Sequence, residues 1–303
     1  MELSDLSGGI AVITGAGSVT GLGFALAKKA ASLGMHIVLS DVRQAAVDEA
    51  VDTLRPIAPT QVEGCVCDVT EMASVERLLV FTTTMFAGFP IRFVGANAGV
   101  FFPKTTILSG TTKEWEKTYQ VNVVGLFHTL RVFVPYLISQ PAKSAVEITA
   151  SYMGIMNGGG GPYGTSKQAA IGVAEALKRE LEAAGQSEKI AVVALCPGIV
   201  TTGLLQTSQG ATDIDGLTSR EGDAHSERTV DVFKAMWNEG MSANFCAHQL
   251  FDHLSDGRFY CFLNESKADS ESVALTLTSR YEAMTNRRME PTAVVTADTK
   301  ARL

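Results

Sequence analysis

The 303-residue chain has no run of lysine and arginine, and its formal net charge is −7 with a pI near 5.3. No basic stripe is therefore available for nucleic acid. It has no apolar stretch of membrane-spanning length, and the opening Met1-Glu2-Leu3-Ser4-Asp5 lacks the positive segment of a secretory signal. These absences predict no nucleic-acid or membrane partner and a cytoplasmic location. The five cysteines, Cys65, Cys67, Cys196, Cys246 and Cys261, are odd in number, include no C-x-x-C pair and lie mostly in apolar, strand-like runs. They read as reduced core residues rather than a disulfide framework. The five histidines are scattered without an H-E-x-x-H pattern, so no metal site is expected.

What is present is a chain of 46% apolar and 19% charged residues in which strand-like and helix-like runs alternate, the pattern of one large α/β domain. Gly9 to Thr14 is a β-branched apolar run. It breaks into a loop with Gly15, Gly17, Gly21, Leu22 and Gly23, then enters a helix from Phe24 to Leu33. A glycine turn feeding a helix N-terminus lets backbone N–H groups approach a pyrophosphate, although tight turns use glycine for backbone reasons too. The next strand, His36 to Ser40, ends at Asp41, about 20 residues past the loop, where an acid bonds an adenosine ribose. The alternative for Asp41 is an N-cap of the following helix.

Further strands are expected at 61–67, 91–96, 145–150 and 190–196, each ending in a polar motif: Asp68-Val69, Asn97-Ala98-Gly99, Ser151, and Pro197-Gly198-Ile199 with Thr201-Thr202. Helices are expected at about 71–86 and, carrying Asn122, at about 112–137. In an open parallel sheet ligands bind beyond the carboxyl ends of the strands, so these motifs can converge on one crevice. Tyr163 and Lys167 are four residues apart on a helix. Of the six tyrosines this one alone has a lysine at that spacing. A cation on the same face favours phenolate and would lower the tyrosine pKa from its usual value of about 10.

Thr14-Gly15 with Gly21-Leu22-Gly23, Asp68-Val69, Asn97-Ala98-Gly99, Asn122, Ser151, Tyr163-x-x-x-Lys167 and Pro197-Gly198 stand in the order and approximate spacing of the short-chain dehydrogenase/reductase family. The resemblance spans about residues 6 to 265. It implies a single-domain, Rossmann-like, doubly wound parallel sheet of about seven strands with helices on both faces. It also implies a nicotinamide cofactor and a homodimer or homotetramer. Two departures stand out: the first two glycines of the family loop are more widely spaced here, and Arg258-Phe259-Tyr260 replaces the usual C-terminal glycine pair. The latter, with Gly240-Met241-Ser242 before it, resembles a subgroup of the family. The domain is expected to cover 1–288, with a mobile substrate loop at about 203–228 and a flexible tail at 289–303.

By this resemblance Tyr163 is the acid/base that exchanges the substrate hydroxyl proton, Ser151 bonds the substrate oxygen, and Lys167 also holds the nicotinamide ribose. Asn122 supports a proton path through the lysine. For Ser151 a cap of the next segment, and for Asn122 a place in a bent helix, remain as alternatives. Asp41 accepts from the adenosine ribose and repels a 2′-phosphate, which favours NAD over NADP, with Arg43 a conceivable phosphate contact. Asp68 and Val69 flank the adenine, Asn97 and Gly99 the ribose path, and Pro197, Gly198, Ile199 and Thr202 the nicotinamide end. Phe101, Phe102, Met153, Ile155, Met156, Leu204, Leu205 and Trp237 form an apolar set suited to a neutral, fairly hydrophobic secondary alcohol or ketone. An enoyl reductase and a non-catalytic dinucleotide sensor are the competing functions. The terminal Ala301-Arg302-Leu303 resembles a peroxisomal address, which has meaning only in a eukaryotic host.

Overall fold

A computed structural model describes residues 1–102, 105–108, 110–156, 161–202, 204, 240–263, 275 and 277–279. The β-branched run after Gly9 forms β1 (Ile10–Thr14), buried along its whole length as a central parallel strand must be. From the glycine loop the chain enters α1 (Leu22–Ser32), which closes near Gly34 in the left-handed region, φ +85°. There follow β2 (His36–Asp41), α2 (Gln44–Leu54), β3 (Val62–Val66), α3 (Met72–Met85) and β4 (Ile91–Ala96). A capping box, in which the Thr111 hydroxyl accepts from Glu114 N while the Glu114 carboxylate accepts from Thr111 N, starts α4 (Thr112–Tyr119).

The helix expected at 112–137 is not uniform. It passes from α4 through a π-helical segment, Gln120–Gly125, into α5 (Leu126–Ser139). By length and composition this continuous run is enough to cross a membrane, which qualifies the expectation that no such stretch exists. Part of its apolar surface packs against α3, α7 and β4. After β5 (Ser144–Thr149) come a short α6 (Met153–Met156), α7 (Gly161–Ala183) and β6 (Ile190–Pro197). Two residues, β7 (Val200–Thr201), then pair with β8 (Met241–Ser242). Ser242 caps α8 (Ala243–Ser255), its hydroxyl accepting from Phe245 N at 3.1 Å, and β9 (Tyr260–Leu263) completes the main sheet.

Seven parallel strands lie in the order β3-β2-β1-β4-β5-β6-β9. The order reverses between β1 and β4, leaving a crevice there at the carboxyl ends. On one face Ala11, Ile13, Phe93, Val193 and Leu195 pack with α1 and α8. α5 and α7 pack against β4, β5 and β6. Contacts divide the chain into one compact unit at Met1–Leu263 and a second at Asn264–Leu303. Within the latter only residues 275 and 277–279, all helical, are described. The expected boundary at 288, the tail with Ala301-Arg302-Leu303, and all of the 203–228 loop except Leu204 lie outside the described residues.

Candidate active site

The glycine loop is a cradle made by missing side chains. Gly15 has φ +64°, and a Cβ there would lie 2.6 Å from Ala98 Cα. At Gly17 a Cβ would meet Asp41 Cβ at 2.7 Å, and at Gly23 it would meet Asn97 Nδ2 at 2.5 Å. Gly21 is the N-cap and Leu22 the first residue of α1, so the helix N-terminus opens onto this space. Backbone N–H groups and a helix dipole without side-chain cover fit a pyrophosphate.

Asp41 ends β2 and turns toward the loop. Its carboxylate accepts from Gly17 N at 3.2 Å, from Arg43 N at 3.2 Å and from Arg43 Nε at 3.3 Å. The N-cap of α2 is Arg43, which removes the capping alternative for Asp41. Asp68 accepts from the Thr70 backbone at 2.9 Å and its hydroxyl at 2.7 Å, a local turn. Val69 is buried and its carbonyl lies 2.9 Å from His128 Nδ1. Asn97 braces the cradle, its Nδ2 donating to Thr14 O at 2.9 Å and Gly15 O at 3.0 Å.

Asn122 sits inside the π-helical segment, almost wholly buried. Its Oδ1 accepts from Val100 N at 2.8 Å, and its Nδ2 donates to Val100 O at 3.1 Å and Ser166 Oγ at 3.0 Å. The bent-helix reading and the active-site reading thus meet in one residue: the π segment presents an amide that ties the Gly99–Val100 turn to α7. A Cβ on Gly99 would lie 3.4 Å from both Asn122 Oδ1 and Lys167 Nζ, which brings these three together. α6 packs on α7 through Gly154, whose absent Cβ would meet Lys167 C at 2.7 Å. Sequence reasoning missed Gly154, because only the crossing of the two helices reveals it.

Ser151 follows β5. Its hydroxyl accepts from Met153 N at 3.2 Å, a short cap, and acts on the Tyr163 phenol in the direction that favours phenolate. The Tyr163 ring lies 4.7 Å from that of Phe101, at an interplanar angle of 55°. Lys167 is buried, with Nζ 5.7 Å from the Tyr163 ring centroid, and donates to Thr149 O at 2.7 Å. Burial pushes the Tyr163 phenol up to about 12, opposed only by the Ser151 hydroxyl. The lowering expected from Lys167 is therefore not what this chain alone produces: with Lys167 brought down to about 8 and the phenol pushed up to about 12, the lysine is already neutral where the phenol ionises. Burial also brings Lys167 down to about 8, opposed chiefly by the charge of Glu147.

Glu147 was not foreseen. It is fully buried within β5, and burial raises its carboxyl to about 7 against the pull of Thr149 and Lys167. A lone glutamate in the apolar run Ala145 to Ala150 was the available signal.

At the other end of the crevice, Pro197 O accepts from Tyr152 N at 2.9 Å and Gly198 N donates to Leu263 O at 2.8 Å. Ile199 O accepts from Met241 N at 2.9 Å, and the Thr202 hydroxyl accepts from Leu204 N at 3.3 Å. Of the apolar set, Phe101, Phe102 and Ile155 are almost wholly buried, while Met153 and Leu204 are partly exposed. Met156 ends α6. Leu205 and Trp237 lie outside the described residues.

Residues 9–213 match the family described as short chain dehydrogenase. Dehydrogenase/reductase SDR family member 4 of Homo sapiens is 31% identical over 197 residues, 65% of this chain and 68% of that protein. The 1-deoxy-11-beta-hydroxypentalenate dehydrogenase of Streptomyces avermitilis is 31% identical over 257 residues, 84% of each chain. A crystal structure of a short chain dehydrogenase/reductase from Burkholderia phymatum in complex with NAD superposes with a TM-score of 0.82 at 29% identity. That match covers 96% of this chain and 99% of the other.

Proposed function

This chain belongs to the short-chain dehydrogenase family, and from that premise we propose that it interconverts a neutral, fairly hydrophobic secondary alcohol and its ketone, with NAD(H) as the preferred cofactor. The observation that carries the reading is the convergence of Tyr163, the buried Lys167 with Nζ 5.7 Å from its ring, and the Ser151 hydroxyl that acts on the phenol, at the carboxyl ends of the same strands as the glycine cradle.

A bound nicotinamide supplies or takes up the hydride. The chain's residues bind, orient and move the proton. Gly15, Gly17, Gly21, Leu22 and Gly23 would line the pyrophosphate with backbone and the α1 N-terminus, the Gly17 N–H being held by Asp41 and the Gly21 N–H by Ser18 O, and Asp41 would accept from the adenosine ribose. Asp68 and Val69 would flank the adenine, Asn97 and Gly99 the ribose path, and Ile199 and Thr202 the carboxamide, with Pro197 and Gly198 beside them at the nicotinamide end. Ser151 donates to the substrate oxygen, where negative charge develops during reduction. Tyr163 then donates its proton to that oxygen, and in oxidation its phenolate takes the proton back. A phenol held near 12 is protonated at neutral pH, which suits reduction. Lys167 holds the nicotinamide ribose, and Asn122 keeps the Gly99–Val100 turn against α7.

The test is a screen of secondary alcohols and ketones followed by NADH absorbance, with both NAD and NADP forms. Turnover of at least one such pair, lost in Tyr163→Phe, supports the proposal. Tight NADH binding without turnover of any alcohol or ketone would instead indicate a dinucleotide sensor. Reduction confined to carbon–carbon double bonds would indicate an enoyl reductase.

A further inference from the structure

Glu147 is fully buried in the middle of the sheet, opposite Gly95 of β4 and Val193 of β6. A carboxyl at such a place is costly unless its oxygens are paired. Here Oε1 accepts from the Thr149 hydroxyl at 2.6 Å, while Oε2 has no partner among the described residues. The same hydroxyl lies 3.3 Å from Asn97 Oδ1. A threonine hydroxyl has one hydrogen and here faces two acceptors, so it can serve only one at a time. Asn97 is the residue whose Nδ2 holds Thr14 O and Gly15 O at the start of the glycine loop.

We propose that Glu147 is a proton-controlled positioning residue for the cofactor cradle, its protonation state deciding whether the Thr149 hydroxyl donates to Glu147 or to Asn97. With Glu147 ionised, Thr149 donates to the carboxylate and Asn97 Oδ1 faces a lone pair. With Glu147 protonated, its O–H donates to Thr149, Thr149 donates to Asn97, and Asn97 donates to the loop. That chain runs in one direction, and its members polarise one another. Burial raises the Glu147 carboxyl to about 7, which puts the exchange within reach of physiological pH.

The groups acting on Glu147 are few. Lys167 of α7 favours the carboxylate, and Cys196 of β6 and Cys261 of β9 couple to it. Its strand neighbours Gly95 and Val193 carry no charge. On the helices packed over its side of the sheet, α8 offers buried Cys246 and His253, while Lys28 of α1 is exposed and Lys29 partly so.

The inference rests on the cofactor reading above, and it is tested on binding rather than turnover. NADH, whose nicotinamide is neutral, is titrated by fluorescence against wild type, Glu147→Gln and Thr149→Val between about pH 5.5 and 8.5. Wild-type affinity should fall about fivefold as pH rises through the Glu147 midpoint, the factor equivalent to one net hydrogen bond. Glu147→Gln, a neutral isostere, should lose the transition near pH 7 and stay at the wild-type low-pH level until Lys167 begins to lose its proton near pH 8. Thr149→Val should also lack the transition near pH 7 and bind more weakly. A flat wild-type profile, or an unchanged pH dependence in Glu147→Gln, would overturn the proposal. So would an unchanged dependence in Thr149→Val, which would point to simple charge repulsion instead. Infrared titration gives a readout without ligand: a protonated-carboxyl band disappearing near pH 7 in wild type and absent from Glu147→Gln is expected, and a carboxylate ionised throughout would overturn the proposal. Failure of wild type to bind NADH at any pH would overturn the cofactor reading and this inference with it.

Discussion

Asn122 pairs with Val100 as one strand residue pairs with another, accepting from its N–H at 2.8 Å and donating to its carbonyl at 3.1 Å. The side-chain amide stands in for a peptide group, and the π-helical segment brings it within reach of that turn. Asn122→Leu should cost about 1–3 kcal/mol in denaturant unfolding, because it removes the partner of the Val100 N–H and carbonyl at a half-buried turn, while Ser166 Oγ keeps its bond to Tyr163 O. It should also lower NADH affinity, since the Gly99–Val100 turn loses its anchor. Unchanged stability would show that the turn holds itself.

Tyr163→Phe removes the phenol hydrogen and little volume. Turnover should fall by at least about a thousandfold, the scale of a lost general acid, while NADH affinity stays within about twofold. Substantial residual turnover would remove Tyr163 from the acid/base role.

Lys167→Ala should reduce both turnover and cofactor affinity. In wild type the ammonium loses its proton as pH rises through about 8, so NADH affinity should decline above that pH. A profile flat to pH 10 would mean that the charge on Lys167 is not what holds the cofactor.

Cofactor choice should favour NAD(H) over NADP(H) by at least about tenfold in kcat/KM, roughly 1.4 kcal/mol. Asp41→Ala should narrow that ratio. It should also weaken NAD(H) itself, because Asp41 accepts from Gly17 N within the cradle. A wild-type preference for NADP(H) would shift attention to Arg43.

Glu147 has a carboxyl raised from 4.5 to about 7 in the folded chain. Between those values the folded state binds more protons than the unfolded one, so stability is fully present below about 4.5 and is lost as pH rises to about 7. Glu147→Gln should abolish this term and be more stable than wild type at pH 8 by about 2–3 kcal/mol. Parallel stability curves for the two proteins would show that burial costs Glu147 little.

The Tyr163–Lys167 pair was legible because a four-residue spacing fixes neighbours on any helix, and the strand ends because polar motifs interrupt β-branched runs. The π segment was not, since one extra residue in a turn leaves no mark in composition. Nor was the raised Tyr163 pKa: helical spacing put the lysine near the phenol but could not show that burial raises the phenol and lowers the lysine together. The significance of Glu147 depends on Asn97, which is distant in sequence and is linked to it only through the Thr149 hydroxyl, once β4 and β5 are paired.

Val200 pairs with Met241 and Thr201 with Ser242, Met241 N donates to Ile199 O, and the Thr201 hydroxyl donates to Gly240 O. Ser242 is also the cap of α8, its hydroxyl accepting from Phe245 N. The turn that leaves β6 at Pro197-Gly198-Ile199 and the first turn of α8 are therefore fastened to one another through backbone, and a shift of either carries the other with it.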